Sequence, residues 1–163
     1  MCANMKADNE GFWYPEIKIQ ECVRCGMCEK VCPILNKTTK TGKTETLGIL
    51  AKDDNIRKNS SSGGVFSLIA KLVIEQGGIV FGVSFDENMM VHHIGVESTE
   101  GLGKLRGSKY LQSNTENTYT EAQNELKKGR LVLYSGTACQ IEALKNILGR
   151  EYDNLITIDI LCH

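Results

Sequence analysis

The sequence predicts an α+β or α/β protein in two parts, a small cysteine-rich module followed by a mixed α/β domain. Three observations lead there. Residues 1–35 hold five of the seven cysteines, both prolines and the single tryptophan. Residues 36–46, NKTTKTGKTET, are polar and without periodicity, so they read as a linker or exposed loop. From Leu47 onward, strand-like and helix-like runs alternate, which is the signature of an α/β layer. The expected boundaries are 1–38 for the module and 47–163 for the domain. A chain of 163 residues is long enough to bury a core, about 70% of the surface its unfolded form exposes.

Each element of the second part has a local reason. LGILA (47–51) reads as a short strand. GVFSLIAKLVIEQGG (64–78) reads as a helix, with Val65, Ile69, Leu72 and Val73 on one face and Gly77-Gly78 as its stop. GIVFGVSF (78–85) alternates as a strand does, with Ile79, Phe81, Val83 and Phe85 on one side. A turn at 86–88 leads into a second strand, MVHHIGVE (90–97). TYTEAQNELKKG (118–129) is a helix ending in lysines and Gly. RLVLYS (130–135) is a strand, TACQIEALKNILG (137–149) a helix and NLITIDILC (154–162) a strand.

Composition excludes several function classes. The net charge is −1, with no basic excess to neutralise nucleic-acid phosphates. No apolar run approaches the length of a membrane span. MCANMKADNEG at the start lacks the apolar stretch of a secretory signal. Seven cysteines, odd in number and tightly spaced, fit metal-bound thiolates in a reducing cytoplasm better than a disulfide framework.

Cys22, Cys25, Cys28 and Cys32 follow C-x2-C-x2-C-x3-C-P. A cubane [4Fe–4S] cluster takes thiolates at adjacent corners, and two-residue spacers let one tight loop reach three of them. This is the bacterial ferredoxin spacing, so the module is expected to be ferredoxin-like. Zinc is the alternative. It favours two separated C-x2-C or Cys/His pairs, and three thiolates this close suit a tetrahedral ion poorly. The fourth ligand is open: in two-cluster ferredoxins the cysteine before Pro serves the other cluster, and Cys2 is then a further candidate.

Two glycine turns open helices. In NSSSGGVFSLIA (59–70) the small residues make either an anion site or a plain N-cap with Ser61 or Ser62 as cap. YSGTACQIEAL (134–144) repeats the arrangement, with Thr137 as cap. Cys139 falls in the first turn, as a redox thiol, a ligand or a buried small residue. GLGKLRG (101–107) lacks the spacing and context of a dinucleotide fingerprint. In RGSKY (106–110), Arg106 and Lys109 suit an anion or belong to a solvated loop. His92 and His93 are adjacent in a strand and face opposite ways. Cys162-His163 is a reactive pair or simply a strand end.

Taken in order, EGFWYPEI…CVRCGMCEKVCP, SSSGGVFSLIA, GGIVFGVSF, RGSKYLQS, LVLYSGTACQIEAL and NLITIDILCH resemble the family of coenzyme F420 hydrogenase/dehydrogenase β-subunits, from about Glu10 to His163. The resemblance implies an iron–sulfur flavoprotein oxidoreductase. It would carry one or two [4Fe–4S] clusters and FAD, and pass electrons to or from a deazaflavin or another two-electron acceptor. It implies a redox partner protein, such as ferredoxin or another component of a hydrogenase or dehydrogenase. Flavin contacts would fall on Ser61, Ser62, Gly63 and Gly64, on Ser108 and Lys109, and on Gly136, Thr137, Cys139 and Gln140. Ala138 stands where the family often has Pro. Members usually continue beyond the Cys-His pair, so the chain is expected to be the N-terminal portion of a longer enzyme. The competing expectation is a flavin-free ferredoxin-like electron-transfer module fused to a partner-binding α/β domain.

The cluster assignment predicts that Cys25→Ser abolishes stoichiometric iron binding. Iron and sulfide content unchanged from the parent protein would reject it.

Overall fold

A computed structural model of the chain describes residues 2–36, 42 and 44–161. It divides into two units, Met1–Thr38 and Thr39–His163. The linker positions 37–41 and 43, and the Cys162-His163 pair, lie outside the described residues.

In the first unit, strands β1 (Ala3–Ala7) and β2 (Trp13–Ile17) form an antiparallel hairpin with Ala3 opposite Ile17 and Ala7 opposite Trp13. Asp8 builds the turn: its Oδ1 accepts from the Glu10 and Phe12 amides, both at 2.9 Å. Gly11 takes a φ of +89°, open to a residue without Cβ. Lys6 and Glu16 pair diagonally across the strands at 3.0 Å. The Lys18 amide donates to the Cys2 carbonyl at 2.8 Å and so extends the ladder by one rung. A short helix, α1 (Met27–Val31), follows, and the Asn36 side chain donates to the carbonyls of Glu29, Lys30 and Cys32 at its end. None of the described residues of this unit is buried.

The second unit begins with α2 (Asp54–Lys58), capped by the Asp53 carboxylate on the Asn55 and Ile56 amides. Next come α3 (Val65–Glu75), β3 (Ile79–Phe85), β4 (Val91–Val96), a four-residue α4 (Leu102–Leu105), α5 (Thr118–Lys127), β5 (Val132–Thr137), α6 (Ala138–Leu148) and β6 (Leu155–Ile160). The strands form one mixed sheet in the order β4-β3-β5-β6. β4 is antiparallel to β3, whereas β3, β5 and β6 are parallel. The protein is thus α+β, with a small sheet and a separate four-stranded mixed sheet.

Alternation along the central strands fills both faces. Ile79 and Phe81 of β3, with Val132 and Tyr134 of β5, meet Ala122, Leu126, Ile141 and Leu144 from α5 and α6. Val80 and Leu133 point the other way, to Ala70 and Val73 of α3 and Leu102 and Leu105 of α4. Such two-sided burial is what parallel strands require.

Three expectations change. Residues 47–51 form no strand. Among the described residues they make one backbone bond, from the Ala51 amide to the Gly63 carbonyl at 2.7 Å, and a lone extended segment paired with no strand builds no ladder. The core face of α3 runs through Ser67, Ala70 and Val73, with Phe66, Ile69 and Ile74 packed beside it, and at the helical period this phase turns Leu72 away from the core, 57% exposed. The N-cap of α3 is neither Ser61 nor Ser62 but Gly64, at φ +85° and with no side-chain cap.

Gly63 has a packing reason to be glycine: an added Cβ would lie 2.1 Å from the Ile49 carbonyl oxygen. Gly63→Ala is therefore expected to destabilise the fold by about 1–3 kcal/mol through forced displacement of the 49–51 segment. Gly103→Ala, at a helical position with open space, is expected to be neutral or slightly stabilising. Urea unfolding of the two variants checks the contrast, and equal midpoints would contradict it.

Candidate functional site

The hairpin register decides where the first thiol lies. Ala3 pairs with Ile17 and the Lys18 amide reaches the Cys2 carbonyl, so Cys2 is carried to the start of the cysteine loop. Its side chain is in hydrogen-bonding contact with that of Cys22, and Cys25 is close enough to act on it electrostatically. The loop then turns tightly, with Arg24 at φ +54° and Gly26 at φ +69°. Cys28 sits in the first turn of α1, and Cys32 is its extended C-cap. Cys2, Cys22 and Cys32 are half-buried, Cys25 and Cys28 are exposed, and all five are free thiols. Among the described residues, no three Cys, His, Asp or Glu side chains are gathered closely enough to hold a metal ion. Partial burial, together with the Cys22 thiol beside it, pushes the Cys2 thiol up from its ordinary value. Two adjacent sulfurs resist sharing negative charge unless a cation joins them. By chemistry the donor set suits a thiolate-bound cluster.

The other candidate residues collect at the carboxyl end of the parallel strands. α3 runs antiparallel to β3 and so begins there, as do α5 and α6. The β3–β5 ladder ends at the Phe81–Tyr134 pair, after which β3 continues with β4 and β5 with β6. Strands that part in opposite directions leave a crevice outside their carboxyl ends. At this end of the sheet are Ser61 and Ser62, exposed, and Gly63 and Gly64, packed under Ile49, Ala51 and Ile56. Ser108 is exposed and Lys109 half-buried on the loop after α4, and Gly136, Thr137, Cys139 and Gln140 form the β5–α6 turn. The Ser61–Gly64 turn and the β5–α6 turn stand on opposite faces of the sheet, because α3 and α6 pack on opposite sides.

A buried polar network underlies the β5–α6 turn. His93 is 2% exposed and stacks on Tyr134 at 5.4 Å. Its Nε2 lies 3.1 Å from the Ser135 carbonyl, which can only accept, so Nε2 carries the proton. Nδ1 then accepts from the Ser113 hydroxyl at 3.2 Å. Ser113 Oγ in turn accepts from Gln140 Nε2 at 2.9 Å, and Gln140 Oε1 accepts from the Thr137 amide at 3.0 Å. Thr137 and Gln140 form a capping box, as expected of Thr137. Both ends of the Gln140 amide are thereby engaged within the chain. Cys139 is exposed, not buried, with its sulfur 3.1 Å from Thr137 Oγ1. Sequence reasoning passes over Ser113 and Ser135. The inward turn of one of two adjacent strand histidines is the signal that points to them.

No protein-family model matches the chain. Over 146 residues it is 24% identical to one of the subunits of the F(420)H(2) dehydrogenase of Methanosarcina mazei, a match covering 88% of the chain. The chain is a distant relative of that protein. It spans about two fifths, 41%, of its length.

Burial holds His93 below the ordinary imidazole value of 6.5, outweighing the Ser135 carbonyl, which favours the protonated form. With the folded value depressed, the unfolded chain takes up the proton first as pH falls. Stability should be full above about pH 6.5 and decline below it until the folded value is reached. Urea unfolding between about pH 7.5 and 5 should show that decline, and His93→Gln should flatten it. Identical slopes in the two proteins would show that another group is responsible.

Proposed function

We propose that this chain is the electron-carrying part of an iron–sulfur flavoprotein oxidoreductase. The observation that carries the reading is the first unit itself. It is a stretch of fewer than 40 residues without one buried side chain among those described, yet it holds five cysteines, four of them in ferredoxin spacing. A unit so small cannot be stabilised by an apolar core and needs a staple, for which a metal centre is a common solution. The distant relation to a component of a dehydrogenase supports a redox role and the presence of partner subunits.

Cys22, Cys25 and Cys28 would hold a [4Fe–4S] cluster. Cys2 is the preferred fourth ligand because the hairpin already sets it against Cys22. Cys32 would serve a second cluster, or complete the first in place of Cys2. Cluster binding would be coupled to ordering of the 22–28 loop, since Cys25 and Cys28 lie exposed and no apolar core fixes them. FAD would sit at the carboxyl end of the sheet, near Ser61, Ser62, Ser108, Lys109, Gly136, Thr137 and Cys139. Gly63, Gly64 and Gln140 would shape the site from behind, since their contacts are made within the chain. When bound, a cluster exchanges single electrons and a flavin can exchange pairs, which suits transfer to a deazaflavin or another two-electron acceptor. The flavin-free alternative draws on the same internal engagement of Gly63, Gly64 and Gln140.

The test is a UV–visible spectrum of protein purified without oxygen, with iron, sulfide and released flavin quantified on the same sample. A broad band bleached by dithionite, with bound flavin, is the expected result. A cluster band without flavin would favour the flavin-free module, and absence of sulfide would reject the cluster.

A further inference from the structure

Burial in the first unit is shared unevenly among its thiols. Of the described residues there, Cys2, Ala3, Cys22, Val31, Cys32 and Pro33 are half-buried and the others exposed. Two of the half-buried thiols meet: the Cys2 side chain is in hydrogen-bonding contact with that of Cys22. The backbone holds both in place. At the open end of the hairpin the Lys18 amide donates to the Cys2 carbonyl at 2.8 Å. The chain then coils through a 3-10 turn, Ile19–Glu21, in which the Glu21 amide donates to the Lys18 carbonyl at 3.0 Å and the Cys22 amide to the Ile19 carbonyl at 3.2 Å. So tight a coil keeps Cys22 at the hairpin end, next to Cys2. Cys25 and Cys28 lie farther along the loop, past Arg24 at φ +54°, and are exposed.

A unit without a buried side chain needs a cross-link, and a disulfide serves that purpose as a metal centre does. A disulfide sets its sulfurs about 2.05 Å apart and needs Cα atoms within about 7 Å of each other. Two thiols already in contact are the pair nearest to that geometry. A bond between Cys2 and Cys22 would also span the whole hairpin. It would remove more freedom from the unfolded chain than a link within any C-x2-C pair. It excludes a cluster on the same loop, because Cys22 cannot serve both.

We propose that Cys2 and Cys22 form a reversible disulfide in the cluster-free chain, a second staple that takes the place of the metal. In a reducing compartment such a bond forms transiently, in response to oxidant. The oxidant is a low-molecular-weight disulfide. One thiolate of the pair attacks it, giving a mixed disulfide and releasing one small thiolate. The partner thiolate then attacks the protein sulfur and releases the second. Two protein thiols are oxidised, one small disulfide is reduced to two thiols, and the two protons pass to the released thiolates. The inference rests on the cluster reading only for what the bond replaces.

The experiment uses the full chain, freed of iron with a chelator under nitrogen and equilibrated with reduced and oxidised glutathione. Remaining thiols are alkylated, and tryptic peptides are identified by mass. Cleavage after Lys6, Lys18, Arg24 and Lys30 puts Cys2, Cys22 and Cys32 on separate peptides, and Cys25 with Cys28 on another. Peptides 1–6 and 19–24 should be linked, in about tenfold excess over any other pairing. Cys2→Ser should leave Cys22 carrying glutathione. Asp8→Ala, which unties the hairpin turn, should cut the linked fraction severalfold. A linked fraction no greater than that of Cys25 with Cys28, or one that Asp8→Ala leaves unchanged, would overturn the inference. The same exposure after reconstitution with ferrous iron and sulfide separates the two readings. A chain that gains sulfide and no longer forms the bond supports both. A chain that takes up no sulfide yet forms the bond upholds the disulfide and rejects the cluster. A loaded chain that forms it just as readily would overturn the exchange of staples.

Discussion

The second unit depends on how the gap between β3 and β5 is closed. The two strands share a three-pair ladder, Ile79–Val132 to Phe81–Tyr134, and then separate. Beyond that point their backbone polar groups need other partners, because a buried carbonyl left alone costs about 1–3 kcal/mol. Ser135 and His93 supply them. Ser135 Oγ donates to the Phe81 carbonyl at 3.2 Å, and His93 Nε2 to the Ser135 carbonyl at 3.1 Å. Gly82 leaves the room: a Cβ there would lie 3.0 Å from Ser135 Oγ. The same closure reaches outward through Ser113 and Gln140 to Thr137, so the β5–α6 turn and the long loop after α4 are joined to the sheet by one hydrogen-bonded chain. The carboxyl edge, where most of the candidate residues lie, is thereby built on a connected polar network.

The first unit works on a different principle. It has a hairpin, a turn of helix and no buried side chain among its described residues, so little apolar burial holds it. What organises it is register. The ladder from Ala3–Ile17 to Ala7–Trp13, extended by the Lys18 amide on Cys2, carries Cys2 across to Cys22. A one-residue slip would turn Cys2 to the other face of the hairpin. Asp8 and Gly11 in the turn are therefore as relevant to the thiols as the cysteine spacing itself.

Legibility follows the range of the interactions. The helix at 138–148 is readable because its signals are local: Thr137 and Gln140 cap its start, and Gly149 ends it at φ +65°. The strands at 79–85, 91–96, 132–137 and 155–160 are readable from alternation and β-branched content. LGILA at 47–51 has the same composition but no edge to pair with, and no local signal reports a missing neighbour. The serines before α3 look like caps by residue type, yet the cap falls on Gly64, because the close approach of Ile49, Ala51 and Ile56 sets the backbone there. The hairpin at 3–17 escapes a local reading, since its strands are short, fully or partly exposed and broken by Pro15.

By itself, the sequence determined the thiol spacing, the ends of the helix at 138–148, the strand alternation and the order of the blocks, because each depends on residues within a few positions of one another. Tertiary structure decided what meets across distance. It set Cys2 against Cys22 and buried His93 in place of His92. It turned Gln140 inward. These juxtapositions arise from strand register, from the parting of β3 and β5, and from which helix packs on which face, and none of those is encoded in a local pattern.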